Sequence, residues 1–537
     1  MYIDVVPNRH SPPAILLRES YRQEGRVKKR TLANLSKLPQ ETIERIRSAL
    51  TGQILALEEA VCGAIYGVLF TLNELAKQLG LYQALGQSRV AALAMFLVLS
   101  RVAHQGSRLG AVRWARDHAV NAVVGLNYFD EEDLYEALEW IASQQEAIED
   151  KLYETYVQQT GQTPVLILYD VTSSYLEGDQ NELAAYGYNR DGKKGKKQVV
   201  IGLLTAKDGE PLSIEVFEGN TSDSETVEAQ VDKLVHRFKV KNIVFVGDRG
   251  MVKAKGKRYL RSAYFKYITA LTDPQIRKLL RQQVIQADLF DEHIVEVNYE
   301  GKRLILRCDP ITQRKERYRR EDKIQRLKEQ VRERNAFVER SKRADAKSGL
   351  ANLQVWSKRH KIASFIELKL NGRQIECLID AEAKKEDELL DGCYCIESDV
   401  REEQLTKDEV HDRYKDLQKV ERDFRDLKTA CLEVRPIFVR KEQRTRGHIF
   451  ISMLSLKIVR LMEKRLKQVF GSTNDNTQAE TVESSLMALS RLCLHHYQID
   501  GQQISALPRL DSRQEKILAA LQVKIKAPES LKNICTQ

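Results

Sequence analysis

Two short apolar runs, each closed by an aspartate, constrain this chain more than any other feature. Val165, Leu166, Ile167, Leu168 and Tyr169 lead into Asp170, and Ile243, Val244, Phe245, Val246 and Gly247 lead into Asp248. Apolar runs without alternation predict strands buried on both faces, and so a sheet covered by helices. A carboxylate at the end of such a strand is costly to bury unless it is paired or bound to a metal. The plainer reading of Asp170 is a residue capping a turn. Asp248 lies in Gly247-Asp248-Arg249-Gly250, where the glycines let backbone or substrate come close. Alone, that tetrapeptide also suits an ordinary turn.

A third acid, Glu421, falls on an amphipathic helical pattern rich in Arg and Lys, with Val420, Phe424 and Leu427 on its apolar side. Tyr414 and Lys428 each stand seven residues from Glu421, about two helical turns, so the three share a face. A carboxylate, a cation and a phenol on one stripe can serve metal and phosphate together; a charged surface helix is the bland alternative. Two carboxylates from strands and one from a helix suit a pair of Mg²⁺ ions about 3.5–4 Å apart, the arrangement of phosphodiester cleavage.

Composition favours a polyanionic partner. The chain has 537 residues, with 86 Lys+Arg against 76 Asp+Glu and a formal charge of +10, a basic but heavily paired balance. Its length predicts three or more domains. The eight cysteines, at 62, 308, 377, 393, 395, 431, 493 and 535, are scattered. Only Cys393 and Cys395 are close, and their spacing is not that of a zinc ribbon. A reduced, cytoplasmic protein is expected. Asp4, Arg9 and the Pro12-Pro13 pair argue against a signal peptide. The longest apolar stretch, residues 90–99, is about half of a membrane span.

Along the chain, residues 1–40 predict a small β unit, with strands over 14–17 and 27–35 around a basic turn at Glu24-Gly25. Residues 41–158 predict helices, including a long one over 131–156, with Trp114 and Trp140 at core positions. Residues 159–271 predict strand, hairpin, helix, strand, helix, strand. The pieces are the Asp170 strand, strands over 198–204 and 211–217 around Asp208-Gly209, and a helix capped by Ser222 and Glu225. The Asp248 strand, a basic helix over 253–261 and a strand over 264–271 follow. Residues 272–395 predict an interruption: strands over 293–299, 303–308, 364–370 and 374–380, with a helix over 316–343. That helix has an apolar stripe of Ile324, Leu327, Val331 and Val338. Between Gln313 and Lys347 there are 14 Lys/Arg and 7 Asp/Glu, a solvated face or a DNA contact. Residues 396–470 resume the order with a strand over 394–396, the Glu421 helix and a helix over 446–467. The tail, 471–537, starts polar at 472–478 and turns helical over 483–494.

The stretch from Tyr414 to Lys428 resembles the Tyr-x2-Arg-x3-Glu-x6-Lys signature of one group of DDE transposases of bacterial insertion sequences. Tyr414, Glu421 and Lys428 match; Leu417 stands where the pattern has Arg, with Arg413 and Arg425 close by. Residues 208–223 are similar to the family's hairpin leading into its first helix, and Arg446-Gly447-His448-Ile449 is similar to a further element of the group. The resemblance runs over about residues 160–465. It implies an α/β fold, a ribonuclease-H-like mixed sheet with a mostly β insertion, preceded by a largely helical N-terminal region. It implies Asp170, Asp248 and Glu421 as catalytic triad and metal ligands. Their separations of 78 and 173 residues leave room for an insertion before the glutamate.

The activity implied is Mg²⁺-dependent DNA cleavage and strand transfer at element ends, with two ions and Mn²⁺ as a substitute. Tyr414, Lys428, Arg425 and Arg249 are expected near phosphate. Lys193, Lys194, Lys196 and Lys197, in a basic glycine-containing run, are expected along the DNA backbone. No Walker-type phosphate loop is evident, as befits transesterification without ATP. His448 reads as a structural residue near a helix start. The partners implied are terminal inverted repeats and target DNA, with no membrane and with a homodimer in the DNA complex. End recognition is assigned by analogy to residues 1–158, with help from the insertion and the tail. The rival readings are a ribonuclease-H-like nuclease that cuts without joining, and an inactive DNA-binding relic.

Overall fold

Strands β1 (Leu166–Tyr175) and β2 (Gln198–Ala206) are buried along almost their whole length, because helices cover both faces of the sheet they centre. The computed structural model describes residues 1–9, 11–52, 57–341, 343–429, 432–471, 479–499 and 502–527. The other strands of this sheet are β3 (Pro211–Phe217), β4 (Val244–Gly247), β5 (Lys266–Ala270), β6 (Val295–Tyr299), β7 (Lys302–Cys308) and β8 (Cys393–Ser398). Their order is β6-β7-β8-β5-β4-β1-β2-β3. The pairs β1–β4 and β4–β5 are parallel, and every other pair is antiparallel.

Alternation along β1 sorts its side chains between two layers. Ile167, Tyr169 and Val171 face a core shared with Val227 and Val231 of helix Asp223–Asp232 and Leu260 of helix Ala254–Ser262. The expected Ser222–Glu225 capping box is present. On the opposite face, Thr172 and Ser174 line a small void with Ile201, Ile214, Phe424 and Leu427. The helix bearing Glu421, Leu417–Lys428, therefore covers the face to which Asp170 belongs.

Several expectations change in form. Asp170 does not close its strand: β1 continues to Tyr175, paired with β2 down to Tyr175↔Gln198. Strands β6 and β7, expected within an insertion, extend the central sheet instead. What remains between β7 and β8 is largely helical, not mostly β. It comprises helices Pro310–Arg340, Ala346–Arg359 and Ala381–Glu388 and one hairpin, Ile366–Asn371 with Gln374–Ile379. The physical reason is the highly charged sequence of 310–359, whose apolar residues recur at helical spacing and not at every second position. Ile324, Leu327 and Val331 pack against Leu353, Phe365, Ile366, Leu368 and Ile375, and Val338 is buried too, so the stripe is core.

The chain divides into two compact units, one of Leu79–Ala94 and Tyr135–Arg460 and one of Met1–Gln78, Met95–Leu134 and Leu461–Gln537. The second holds an antiparallel sheet of Tyr2–Val6, Ala14–Gln23 and Arg26–Asn34. Its second turn has positive φ at both Glu24 and Gly25, as a tight hairpin requires. A strand, Leu57–Ile65, lies where only helices were expected. It pairs with Cys493–Ile499, which pairs in turn with Gln502–Ala506. The tail is thus partly β, with a helix confined to Val482–Leu489 and another at Ser512–Ala520. The polar segment 472–478 lies outside the described residues, as do Cys431 and Cys535. The other six cysteines are free thiols.

The long helix expected over 131–156 is two, Glu131–Ser143 and Gln145–Thr160. Trp114 stacks on His118 with ring centroids 3.7 Å apart, a packing role; Trp140 is half-buried. Among the described residues, no single helix is long and apolar enough to cross a membrane.

Gly202 lies across from Val171 in the β1–β2 ladder, and a Cβ there would stand 2.3 Å from the Tyr169 hydroxyl. The ring is fully buried and has nowhere to move. Gly202→Ala is therefore expected to cost about 1–3 kcal/mol of stability, measured by denaturant unfolding.

Candidate active site

The parallel ladder of β1 and β4 ends at the pair Tyr169↔Gly247. The next residue on each strand is an aspartate, so backbone pairing alone brings Asp170 and Asp248 side by side at the carboxyl end of the parallel strands. From Asp170 to Ser174, among the described residues, β1 pairs only with β2, and Tyr175 then also accepts from the Ile437 N–H at 3.1 Å; ligands of α/β sheets commonly bind at such carboxyl strand ends.

Asp170 is pushed up to about 7, chiefly by burial, then by the negative charges of Asp248 and Glu421, with Arg190 opposing. Glu421, exposed on its helix, is also raised. Partial desolvation is the first cause and Asp248 the second, with Arg425 and Lys415 pulling the other way. The charge of Asp248 thus bears on both Asp170 and Glu421, and that of Glu421 on Asp170. Among the described residues, no three His, Cys, Asp or Glu side chains stand close enough to form a finished metal cage.

Tyr414 donates a hydrogen bond to Asp248 Oδ1 at 3.0 Å. Burial and the adjacent Asp248 drive its hydroxyl well above the usual tyrosine range, so it stays a donor. Asp248 is held further through its backbone oxygen, which accepts from Thr269 Oγ1 at 3.3 Å.

The helical stretch bearing Tyr414, Glu421 and Lys428 is broken at Asp416 into Lys407–Lys415 and Leu417–Lys428. Leu417, Val420, Phe424 and Leu427 are the buried apolar residues of the second of these, and Leu417 is only 6% exposed. An arginine at position 417 would have to bury its charge, so leucine there is a packing choice. Arg413 is held by Asp416 at 3.0 Å.

Lys428 takes a position that sequence reasoning did not foresee. Its ammonium lies 3.0 Å from Asp191 Oδ1, with side chains only 10% and 2% exposed. Arg435 reaches the same oxygen at 2.5 Å, and the N–H of Tyr175 donates to the other at 3.2 Å. A phosphate contact was expected of Lys428; in this structure its charge is satisfied inside the protein. Asp191, the residue missed, ties the end of the Glu421 helix to β1. Nothing in its sequence setting, between Arg190 and a basic run, marks it out.

The remaining expected DNA contacts lie on the surface. Lys193 and Lys194 are exposed. Lys196 pairs with Glu177 at 2.6 Å, and Lys197 donates to the Asp179 carbonyl at 3.1 Å. Arg249 is half-exposed and 3.4 Å from Asp273. Arg425 acts on Glu421 electrostatically. His448 is buried, with Nε2 at 3.3 Å from the Val434 carbonyl, as its structural reading required.

Residues 161–457 match the family model described as "Transposase DDE domain", and residues 3–60 match "IS1634 family transposase, N-terminal domain". The first match spans more than half of the chain, which therefore belongs to the DDE transposases of insertion sequences. No curated protein matches it. Among solved structures, the piggyBac transposase synaptic complex with hairpin DNA is similar over 87% of this chain and 80% of that one. Its identity is 9% and its TM-score 0.35. The Mos1 transposase paired-end complex with left transposon end is similar over 43% and 68%, at 10% identity and a TM-score of 0.15. Neither likeness is close enough to bear on the site.

Removing the Asp191 charge leaves the buried Lys428 ammonium facing the partly exposed Arg435 guanidinium without a counter-charge. Asp191→Asn is expected to cost about 3–5 kcal/mol in denaturant unfolding. Adding Lys428→Met should restore part of that loss, whereas an additive double variant would show that the pair does not interact.

Proposed function

We propose that this transposase cuts DNA at the ends of an insertion sequence and joins the freed 3′ ends to target DNA, with Asp170, Asp248 and Glu421 holding two Mg²⁺ ions. The observation that carries this reading is the placement of two aspartates directly beyond one parallel strand pair, with a glutamate, on the helix covering that face, whose charge bears on Asp170.

The residues suit the ions. All three donors are carboxylate oxygens, the hard ligands that Mg²⁺ and Mn²⁺ take. Mg²⁺ commonly uses one or two protein carboxylates and completes its shell with substrate phosphate and water, so a closed cage before DNA arrives is not required. Divalent charge would also offset the burial and the repulsion that together raise Asp170. The chemistry supplied when two ions are bound is activation of a water at neutral pH and stabilisation of the leaving 3′ oxygen.

The chain's own residues supply position and charge. Tyr414 fixes the Asp248 carboxylate by its hydrogen bond. Asp191, through Lys428 and Arg435, fixes the end of the Glu421 helix against β1. Arg249, Arg425 and the run Lys193, Lys194, Lys196 and Lys197 neutralise phosphates of the element end and of the target. Exchange of one ester for another keeps the bond energy, so no ATP is needed. The active complex is a homodimer holding two ends, and its free thiols suit the reducing cytoplasm.

The test is Mg²⁺-dependent cleavage and joining of DNA carrying the element's own ends. Glu421→Ala, Asp170→Ala and Asp248→Ala should each reduce both products to background while DNA binding persists. Cleavage without joining in the wild type would make the protein a nuclease, and equal activity in variants and wild type would sink the carboxylate assignment. Tyr414→Phe, which removes only the hydrogen bond to a ligand, should lower activity about 10- to 100-fold and raise the Mg²⁺ concentration needed for half-maximal cleavage.

A further inference from the structure

The strap joining β1 to β2 holds two tyrosines out in water. Tyr186 is 64% exposed and Tyr188 82%, although such rings usually bury much of their area. The exposure is built in. Ala185 and Gln198 exchange backbone hydrogen bonds at 3.1 and 3.0 Å, and the Gly219 N–H donates to the Leu183 carbonyl at 3.0 Å. The Gln198 side-chain amide donates to the Tyr188 and Gly219 carbonyls at 3.2 and 2.9 Å. Between the rings, Gly187 passes so close to the body that a Cβ would lie 2.3 Å from the Gly219 oxygen. With residue 187 turned inward, its two neighbours are driven outward together.

Cations back both rings. The Arg190 guanidinium, ion-paired with Asp223 at 2.5 Å, lies 5.7 Å from the Tyr188 centroid. The Lys197 ammonium, bonded among the described residues only to a backbone carbonyl, lies 6.0 Å from that of Tyr186. The strap also borders the catalytic strand. The Arg190 N–H donates to Ser173 Oγ at 3.0 Å, and Arg190 is one of the charges felt by Asp170.

We propose that Tyr186 and Tyr188 are a stacking platform for unpaired bases of the DNA strand beside the bond cut at Asp170; the choice of that strand rests on the function proposed above. Aromatic faces flanked by cations are what single-stranded nucleic acid recognises, one surface for the base and one charge for the phosphate. Residues two apart in an extended segment are about 6.6 Å apart, enough for each ring to take its own base. A duplex backbone would use the cations and leave the rings idle. An acidic protein partner would have no need of two exposed aromatic rings.

The experiment compares a short blunt duplex with the same duplex carrying an unpaired thymidine tail, bound to full-length protein without divalent metal and read by fluorescence anisotropy. Wild type should prefer the tailed DNA. The double variant Tyr186→Ala/Tyr188→Ala should lose that preference, weakening tail binding by roughly 10-fold or more per ring, with blunt-duplex affinity unchanged. Tyr186→Phe/Tyr188→Phe should keep it. With 5-iodouracil in the tail, photocross-links in the wild-type protein should map to Tyr186 or Tyr188, a readout that needs no variant to fold. The platform is overturned if wild type shows no tail preference, if the alanine variant keeps it, if blunt and tailed binding fall equally, or if cross-links map elsewhere. None of these readings requires cleavage. Loss of tail preference in the alanine variant, alongside unchanged cutting by Glu421→Ala, would leave the platform standing and discard the carboxylate assignment.

Discussion

The short parallel ladder between β1 and β4 is the constraint on which the site depends. It contributes only four residue pairs, yet its end at Tyr169↔Gly247 decides where two carboxylates meet. Main-chain hydrogen bonds set that meeting point, and they tolerate little slippage because a one-residue shift would turn the buried residues of β1 to the wrong face. The fully buried Ile167, Tyr169, Phe245 and Tyr267 make such a shift prohibitive. The core below the sheet thereby holds the acids above it.

Packing and repulsion meet at the same place. Burying Asp170 near two like charges is unfavourable, and the surrounding structure must sustain it. Part of that support is the apolar stripe of the Glu421 helix, with Leu417, Val420, Phe424 and Leu427 docked on the sheet. Part is ionic: Asp191 gathers Lys428, Arg435 and the Tyr175 amide, and Asp423 takes Arg460 at 2.6 Å. Leu417 and Val420 precede Glu421, and Asp423 and Lys428 follow it, so the helix has little freedom to rotate and withdraw its carboxylate.

Much of this was legible in the residues. The unbroken apolar runs before Asp170 and Asp248 announced buried strands, Asp208-Gly209 announced the β2–β3 hairpin, and the Ser222–Glu225 box announced the following helix, because each is a local signal. Long-range pairing was not legible. Strand Leu57–Ile65 finds its partner more than four hundred residues away, and β6 and β7 look like pieces of an insertion until the sheet edge that receives them is known. Asp191 was invisible for the same reason, since a buried ion pair across the fold has no signature in spacing.

By itself the sequence determined the chemistry on offer: three acids, a phenol and a lysine at fixed intervals, and strands and helices written in local periodicity. Only the tertiary structure decided how that chemistry is used. It turned Lys428 inward to Asp191, gave Tyr414 to Asp248, put Leu417 in the core, and left Tyr186 and Tyr188 in water around a pinned Gly187. The reason is physical. Periodicity along a chain reports which face a residue takes, but which neighbour waits on that face depends on contacts between segments far apart, and only the folded backbone brings those together.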